Sequence, residues 1–204
     1  MFLLNSQKIL KEWTDYNQHM NLSYYILVFD NVIDIDYQNT IKEILLGDRQ
    51  YKGYDFPWYL THDVTKPAKA DSQKRPAFFH GYVDYPSELS SSFHDLFTEL
   101  IQNSCGKLRL ENVRVIQGRS FCQLPINSEV VSVDTPHIDT KDDHFVMLYY
   151  VCDSDGDTII YNETVESENY TIQQRITPKQ GRVVLFDGAY YHTAEQPLNN
   201  IRCV

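Results

Sequence analysis

The sequence predicts a mainly β protein with flanking helices, in which an antiparallel sandwich or barrel follows an N-terminal half of mixed helices and strands. Residues 110–204 contain short alternating or wholly apolar segments separated by turn residues, which is the pattern of antiparallel strands. Residues 1–109 instead contain segments with helical spacing. The chain has 204 residues, of which 42% are hydrophobic and 13% aromatic, so it is long enough for one domain with its own core.

The first two helices are predicted in the first fifty residues. Apolar residues at helical spacing predict a helix over residues 6–16, with Ser6 as its N-cap. The same spacing predicts a helix over residues 36–47, which Gly47 should end.

The longest helix is predicted over residues 87–106, with Gly106 as its end. Its apolar residues form one stripe: Leu89, Phe93, Leu96, Phe97, Leu100 and Ile101. Before it lies a long connection, residues 51–79, which is aromatic at its start and basic over residues 66–75. Connections of this length are often functional, so this one is a candidate lid, with Tyr54, Phe56, Trp58 and Tyr59 as an aromatic wall of the cavity. An irregular surface segment is the alternative.

The second half is predicted to consist of strands. The residues from His144 to Cys152 are apolar on both faces of the predicted strand, so this strand should be buried on both sides. The other strands are predicted within residues 111–125, 157–163, 170–177, 181–188 and 200–204.

Charge and composition argue against several classes of protein. The net charge of −10 makes nucleic acid an unlikely partner, although residues 66–75 form either a local basic patch or a solvated loop. No apolar run is long enough to span a membrane, and the N-terminus has too few apolar residues for a secretory signal. The sequence contains four widely spaced cysteines and no Cys-x-x-Cys motif, which indicates free thiols and a cytoplasmic location. The cysteines are Cys105, Cys122, Cys152 and Cys203.

His137 and Asp139, in TPHIDT, are candidate metal ligands. Seven histidines and 18 aspartates give about 0.6 such pairs by chance, so an exposed turn in an acidic stretch is the alternative. Residues i and i+2 of an extended segment project to one side, so both could bind one ion. His192 follows a predicted buried strand and could supply a third ligand. Two imidazoles and one carboxylate suit ferrous iron and leave coordination positions open.

The order of motifs in the second half resembles the iron(II)/2-oxoglutarate dioxygenases, and most closely their prolyl 4-hydroxylase-like branch. The motifs are HID, then GDTIIYNE, then ITPKQGRVVLFDGAYYH, then Arg202 ten residues later. The resemblance covers residues 110–204. It implies a double-stranded β-helix core (a distorted jelly roll) over these residues. Residues 1–109 then form a helical support and possible lid, and residues 1–204 make one dioxygenase domain.

Position by position, the resemblance implies that His137, Asp139 and His192 are the iron ligands and the catalytic centre. Arg202 corresponds to the residue that binds the far carboxylate of 2-oxoglutarate, for which a guanidinium is suited. Tyr150 corresponds to a tyrosine that often donates a hydrogen bond to the same carboxylate.

The match is ambiguous at one tyrosine and departs from the family pattern at one glycine. Tyr149 replaces Tyr150 if the strand register differs by one residue, because neighbouring side chains point to opposite faces. Asp157 stands where the family has the second glycine of its Gly-Gly-x-Thr strand, so this turn can differ.

Residues 153–164 begin like a calcium loop but lack its glycine and its final glutamate, so they predict an acidic hairpin turn.

The resemblance implies an oxidoreductase that uses Fe(II), 2-oxoglutarate and dioxygen to hydroxylate a C–H bond, with release of succinate and CO2. A protein or peptide side chain of the proline type is the first candidate substrate, by analogy alone. A small molecule and a nucleobase are the next candidates. A non-catalytic β-helix binding module is the alternative from another class.

Overall fold

The structure is a computed structural model that describes residues 1–8, 26–64, 75–107, 110–125 and 133–204. The strands in these ranges are β1 (Phe2–Lys8), β2 (Leu27–Phe29), β3 (Tyr59–Thr61), β4 (Ala77–Asp84), β5 (Glu88–Leu89), β6 (Glu111–Gln123), β7 (Phe145–Tyr149), β8 (Thr158–Tyr161), β9 (Ile172–Ile176), β10 (Val183–Asp187), β11 (His192–Ala194) and β12 (Arg202–Cys203). The helices are α1 (Ile35–Leu46), a 3-10 helix (Ser92–Phe97) and α2 (Thr98–Lys107). None of these helices is both long and apolar enough to cross a membrane.

The described strands form two antiparallel sheets. The large sheet has the order β2-β10-β7-β1-β6-β4-β3, with β12 also paired to β6 and β5 to β4. The small sheet has the order β11-β8-β9. The predicted mainly β architecture with antiparallel strands and flanking helices is therefore confirmed.

The large sheet is buried on both faces along β7 and β10, because every residue of β7 and the first four residues of β10 are apolar. From β7, Val146 and Leu148 pack towards Ile160 of the small sheet. The alternate residues Met147 and Tyr149 pack on the other face, in a cluster that includes the helices. The protein therefore has three layers, in which the large sheet lies between the helices and the small sheet.

Helix α1 confirms the prediction for residues 36–47. The Asp34 side chain accepts a hydrogen bond from the Tyr37 backbone N–H at 2.8 Å, which caps the start of the helix. Gly47 is its C-cap, as predicted. The prediction of Ser6 as an N-cap is wrong, because Ser6 lies in β1, and the rest of that predicted helix (residues 9–16) is outside the described residues.

The prediction of one continuous helix over residues 87–106 is wrong at both ends. Residues 88 and 89 form β5, and the Ser91 side chain then caps the 3-10 helix by accepting from the Phe93 backbone N–H. Helix α2 continues to Lys107, so Gly106 lies inside it. The apolar stripe from Phe93 onward is buried as predicted, whereas Leu89 is 63% exposed.

Strands β3 and β4 are the two arms of a hairpin at one edge of the large sheet. They pair directly, with Tyr59 opposite Phe79. The backbone N–H of Val64 also donates to the carbonyl of Arg75 at 3.1 Å. Residues 65–74, which join the arms, lie outside the described residues.

Candidate metal centre

Backbone pairing brings the two candidate histidine ligands together. The N–H of His137 donates to the carbonyl of His192 at 3.0 Å, and the N–H of His192 donates to the carbonyl of His137 at 3.0 Å. The two imidazole rings therefore lie side by side, with centroids 4.8 Å apart. Asp139 follows two residues later, and the ligand atoms of all three residues lie within 4.8 Å of one another. Within the described ranges, this is the one group of His, Cys, Asp and Glu side chains arranged to hold an ion.

Both imidazoles offer the same nitrogen to the shared space. Nδ1 of His137 lies 3.0 Å from the carbonyl of Thr135, and Nδ1 of His192 lies 3.1 Å from that of Tyr190. Carbonyls only accept hydrogen bonds, so Nδ1 carries the proton and Nε2 keeps a free lone pair in the neutral ring. Burial, followed by the neighbouring His192, lowers the pKa of His137 to about 4, which favours this neutral form.

The Asp139 carboxylate is fully buried, and only one of its two oxygens has a hydrogen-bond partner among the described residues. Its Oδ1 accepts a hydrogen bond from Arg119 Nη2 at 2.7 Å. Its Oδ2 lies 3.3 Å from His192 Nε2 but has no hydrogen-bond partner among the described residues. Burial alone would raise the pKa of Asp139, but His192, in its protonated form, and Arg119 outweigh this effect and hold the pKa well below its usual range. A buried anionic oxygen beside two imidazole lone pairs fits a divalent transition-metal ion.

A small cavity of about 70 Å³ is lined by His137 and His192 and also by Arg202. The guanidinium of Arg202 is buried and points into the space between the two sheets. It donates to the Gly156 carbonyl at 3.0 Å, to Gln123 Oε1 at 3.2 Å and to Thr158 Oγ1 at 2.8 Å. The structure thus places the predicted co-substrate residue in the same cavity as His137 and His192.

Tyr150 lies behind this cavity rather than on its wall. Its side chain is fully buried and its hydroxyl donates to Thr158 Oγ1 at 2.7 Å, beside the Arg202 guanidinium. Among the described residues, Thr158 lines the cavity and Tyr150 does not. Tyr149 packs on the helix side of the large sheet, so it does not take the place of Tyr150. The Thr158 hydroxyl, which accepts this hydrogen bond, therefore separates Tyr150 from the cavity, and the co-substrate role of Tyr150 stays a prediction.

A second buried ion pair adjoins the cavity. Arg75, at the base of the β3–β4 hairpin, contacts Asp134 Oδ1 through Nη1 at 2.5 Å, and both side chains are buried. Gln123 donates to Asp134 Oδ2 at 3.3 Å and accepts from Arg202, so the hairpin base is linked to the cavity. Burial raises the pKa of Asp134, an effect that Arg75 opposes. No sequence motif indicates this pair, because its partners are far apart in the chain.

The predicted lid borders the site only in its second part. Val64 lines the cavity beside His137 and His192. Val64 and Phe79 also line a neighbouring groove of about 280 Å³. Arg119 and Phe121 line both the groove and the cavity. Phe79 and Phe121 lie opposite each other on neighbouring strands, with ring centroids 6.5 Å apart.

The aromatic residues at the start of the lid segment do not form a wall of the cavity. Phe56 and Trp58 pack on the helix side of the large sheet, where the Trp58 indole donates to the Leu45 carbonyl at 2.8 Å. That part of the prediction is wrong, because the apolar helix face offers these rings a larger surface to bury. The lysines at 66, 69 and 74 lie outside the described residues.

Comparisons with known proteins reveal similarity at the level of the fold. No protein-family model and no curated protein matches the sequence. The structure is similar to the crystal structure of an oxidoreductase described as a member of the 2OG-Fe(II) oxygenase family from Burkholderia pseudomallei. The TM-score is 0.61 with 11% sequence identity, over 87% of this chain and 81% of that chain. The likeness shows the jelly-roll fold that the sequence predicts.

The low pKa of His137 predicts a pH-dependent stability of the metal-free protein. An unfolded histidine titrates near pH 6.5 and His137 near pH 4, so the unfolded chain binds more protons in this window. Stability should therefore fall as the pH drops from 6.5 to 4. Between pH 6.5 and pH 4, the free energy of unfolding should fall by about 3 kcal/mol more in wild type than in His137→Gln.

Urea unfolding at pH 7 and pH 4 in the presence of a chelator measures this difference. The exposed His62→Gln variant is the matched control and should behave as wild type. Equal losses in wild type and His137→Gln would contradict the prediction.

Proposed function

We propose that this protein is an iron(II)- and 2-oxoglutarate-dependent dioxygenase that hydroxylates a C–H bond. The observation that carries the proposal is the convergence of His137, Asp139 and His192, whose two histidines line one small cavity with the buried Arg202 guanidinium. A buried guanidinium at a distance from two imidazoles and a carboxylate suits a slender dicarboxylate whose ends need different partners. The jelly-roll fold is consistent with this function, but a fold alone does not define one.

The residues of the site have separable tasks in this reaction. His137 Nε2, His192 Nε2 and Asp139 Oδ2 would hold the iron. When bound, iron(II) supplies the redox chemistry in which 2-oxoglutarate and O2 become succinate and CO2 while the substrate C–H becomes C–OH. Arg202 would pair with the far carboxylate of 2-oxoglutarate, and Thr158 would accept or donate a hydrogen bond beside it.

Apolar residues shield the cavity from water. Leu148, Phe121 and Val204 line it together with the polar groups. Their low polarity strengthens the pairing of Arg202 with a carboxylate, because less water competes for the guanidinium. The walls therefore both orient the co-substrate and protect the reacting groups.

We propose a protein or peptide side chain of the proline type as the substrate, as in the prolyl 4-hydroxylase-like branch. The groove beside the metal cavity supports this choice, because Phe79 and Phe121 give it an aromatic floor. Grooves lined by aromatic rings bind proline-containing extended peptides well. The net charge of −10 disfavours a nucleic-acid substrate.

Turnover tests the proposed activity. The protein, loaded with iron(II) and given 2-oxoglutarate and O2, should form more succinate with proline-containing peptides than with alanine-substituted versions of the same peptides. His137→Ala should abolish succinate formation because one iron ligand is lost, whereas the exposed His62→Ala should not change it. Iron binding without succinate from any peptide or small molecule would instead support a non-catalytic binding module.

Arg202→Ala should raise the 2-oxoglutarate concentration needed for half-maximal succinate formation. Breaking a buried charged pair worth about 3 kcal/mol corresponds to about 10²-fold. Iron affinity should stay close to wild type, because no iron ligand is removed.

The control is Arg182→Ala, whose guanidinium pairs with Asp30 at 2.8 Å at the surface and should leave half-saturation unchanged. Arg202→Lys should restore the affinity only in part, since lysine keeps the charge but loses the planar fork. The same half-saturation in Arg202→Ala as in wild type would assign the carboxylate to another residue.

A further inference from the structure

We propose that Arg119 is a positioning residue that orients Asp139 so that this carboxylate offers a single oxygen, Oδ2, to the metal ion. The inference rests on the proposed function, since it concerns the same site. It goes beyond that function because neither the motif order nor the fold assigns Arg119 a role. Three features of the structure carry it: the burial of Asp139, the inequality of its two oxygens and the way Arg119 is held.

The Asp139 carboxylate depends on Arg119 for its hydrogen bonding. Its side chain has no exposed surface, so water does not solvate it. In the part of the chain that the structure describes, Arg119 is the one residue that donates a hydrogen bond to it, at 2.7 Å. His192 Nε2 lies 3.3 Å from Oδ2, but a metal-bound Nε2 carries no proton to share. With a metal bound at Oδ2, Arg119 is therefore the described residue that still donates a hydrogen bond to the carboxylate, at Oδ1.

The bond from Arg119 makes the two carboxylate oxygens different. Oδ1 is occupied by the guanidinium, while Oδ2 lies on the side of the histidines without a hydrogen bond. Turning the carboxylate to bind a metal through both oxygens would stretch or break this charge-assisted bond. Binding through Oδ2 alone leaves more coordination positions open for a co-substrate.

Arg119 is itself fixed by packing. It lies on β6 opposite Gly81 of β4, and its guanidinium rests over the Phe121 ring at 5.2 Å. Among the described residues, the bond to Asp139 is the one hydrogen bond of its side chain, and its Nε is buried without a partner. Within the described residues, the Arg119 side chain therefore has Asp139 as its one hydrogen-bond acceptor.

Groups that orient a metal ligand in this way typically contribute about 10- to 100-fold to metal affinity. Arg119→Met keeps the length and the contact with Phe121 but removes the donor and the charge. Arg119→Lys keeps a charged donor at similar reach. Arg114→Met is the matched control, because Arg114 is an exposed arginine on the same strand.

The experiment titrates Co(II) into the metal-free protein without 2-oxoglutarate and follows the ligand-field absorption of the bound ion. Arg119→Met should weaken Co(II) binding by about 10- to 100-fold, Arg119→Lys should weaken it less, and Arg114→Met should match wild type. The absorption spectrum of Arg119→Met should also change, because the freed Oδ1 can join the coordination. A purely structural role would alter the unfolding temperature without this spectral change.

A folded Arg119→Met variant with wild-type affinity and spectrum would overturn the inference. If Arg119→Met does not fold, Arg119→Gln carries the same expectation, since glutamine is too short to reach Oδ1 and uncharged. Failure of the proposed function has a different signature: wild type would not bind Co(II), or His137→Ala would bind it as tightly as wild type.

Discussion

The candidate site depends on one antiparallel backbone pair, that between His137 and His192. Two reciprocal hydrogen bonds of 3.0 Å fix these residues opposite each other, and the pairing continues to Val133 opposite Glu195. A slip of one residue would turn one imidazole away from the other. The candidate metal site is therefore a consequence of strand register, and Asp139, two residues after His137, brings its ligand oxygen within 4.8 Å of both imidazoles.

The second constraint is electrostatic. The space between the sheets contains three arginines (Arg75, Arg119 and Arg202) and two aspartates (Asp134 and Asp139), all at or beside a cavity of about 70 Å³. Burying so many charges is unfavourable for folding unless each is paired or hydrogen-bonded. Two arginines have carboxylate partners, whereas the hydrogen bonds of Arg202 within the described residues all go to neutral groups. This cation, which has no directly paired carboxylate there, lies where the proposed function requires an anionic co-substrate.

The strands could be predicted from local patterns, and the triad could be predicted from the order of motifs along the chain. Period-two alternation defines the faces of β7, and the motif order indicates His137, Asp139, His192 and Arg202 as candidate site residues. The roles of His137, Asp139 and His192 as metal ligands stay predictions. The strand parity also distinguishes Tyr150 from Tyr149 once the layers are known.

Other features were beyond the sequence for physical reasons. The apolar stripe after Ser91 fits a helix, but the local cap at Ser91 and the pairing of Leu89 with Val83 begin it later than its periodicity indicates. The Arg75–Asp134 and Arg119–Asp139 pairs join residues that are distant in the chain. A sequence does not distinguish an arginine that is buried in such a pair from an arginine at the surface. Thr158 was present in a recognised motif, yet its place between Tyr150 and Arg202 depends on the packing of two sheets.

The most direct test of the account is a crystal structure of the protein soaked with Mn(II) and 2-oxoglutarate, with anomalous scattering used to locate the metal. The account predicts one strong anomalous peak within coordination distance of His137 Nε2, Asp139 Oδ2 and His192 Nε2, and a dicarboxylate extending from it towards Arg202. An empty triad at saturating Mn(II), or a metal bound elsewhere with the triad side chains unchanged, would contradict it.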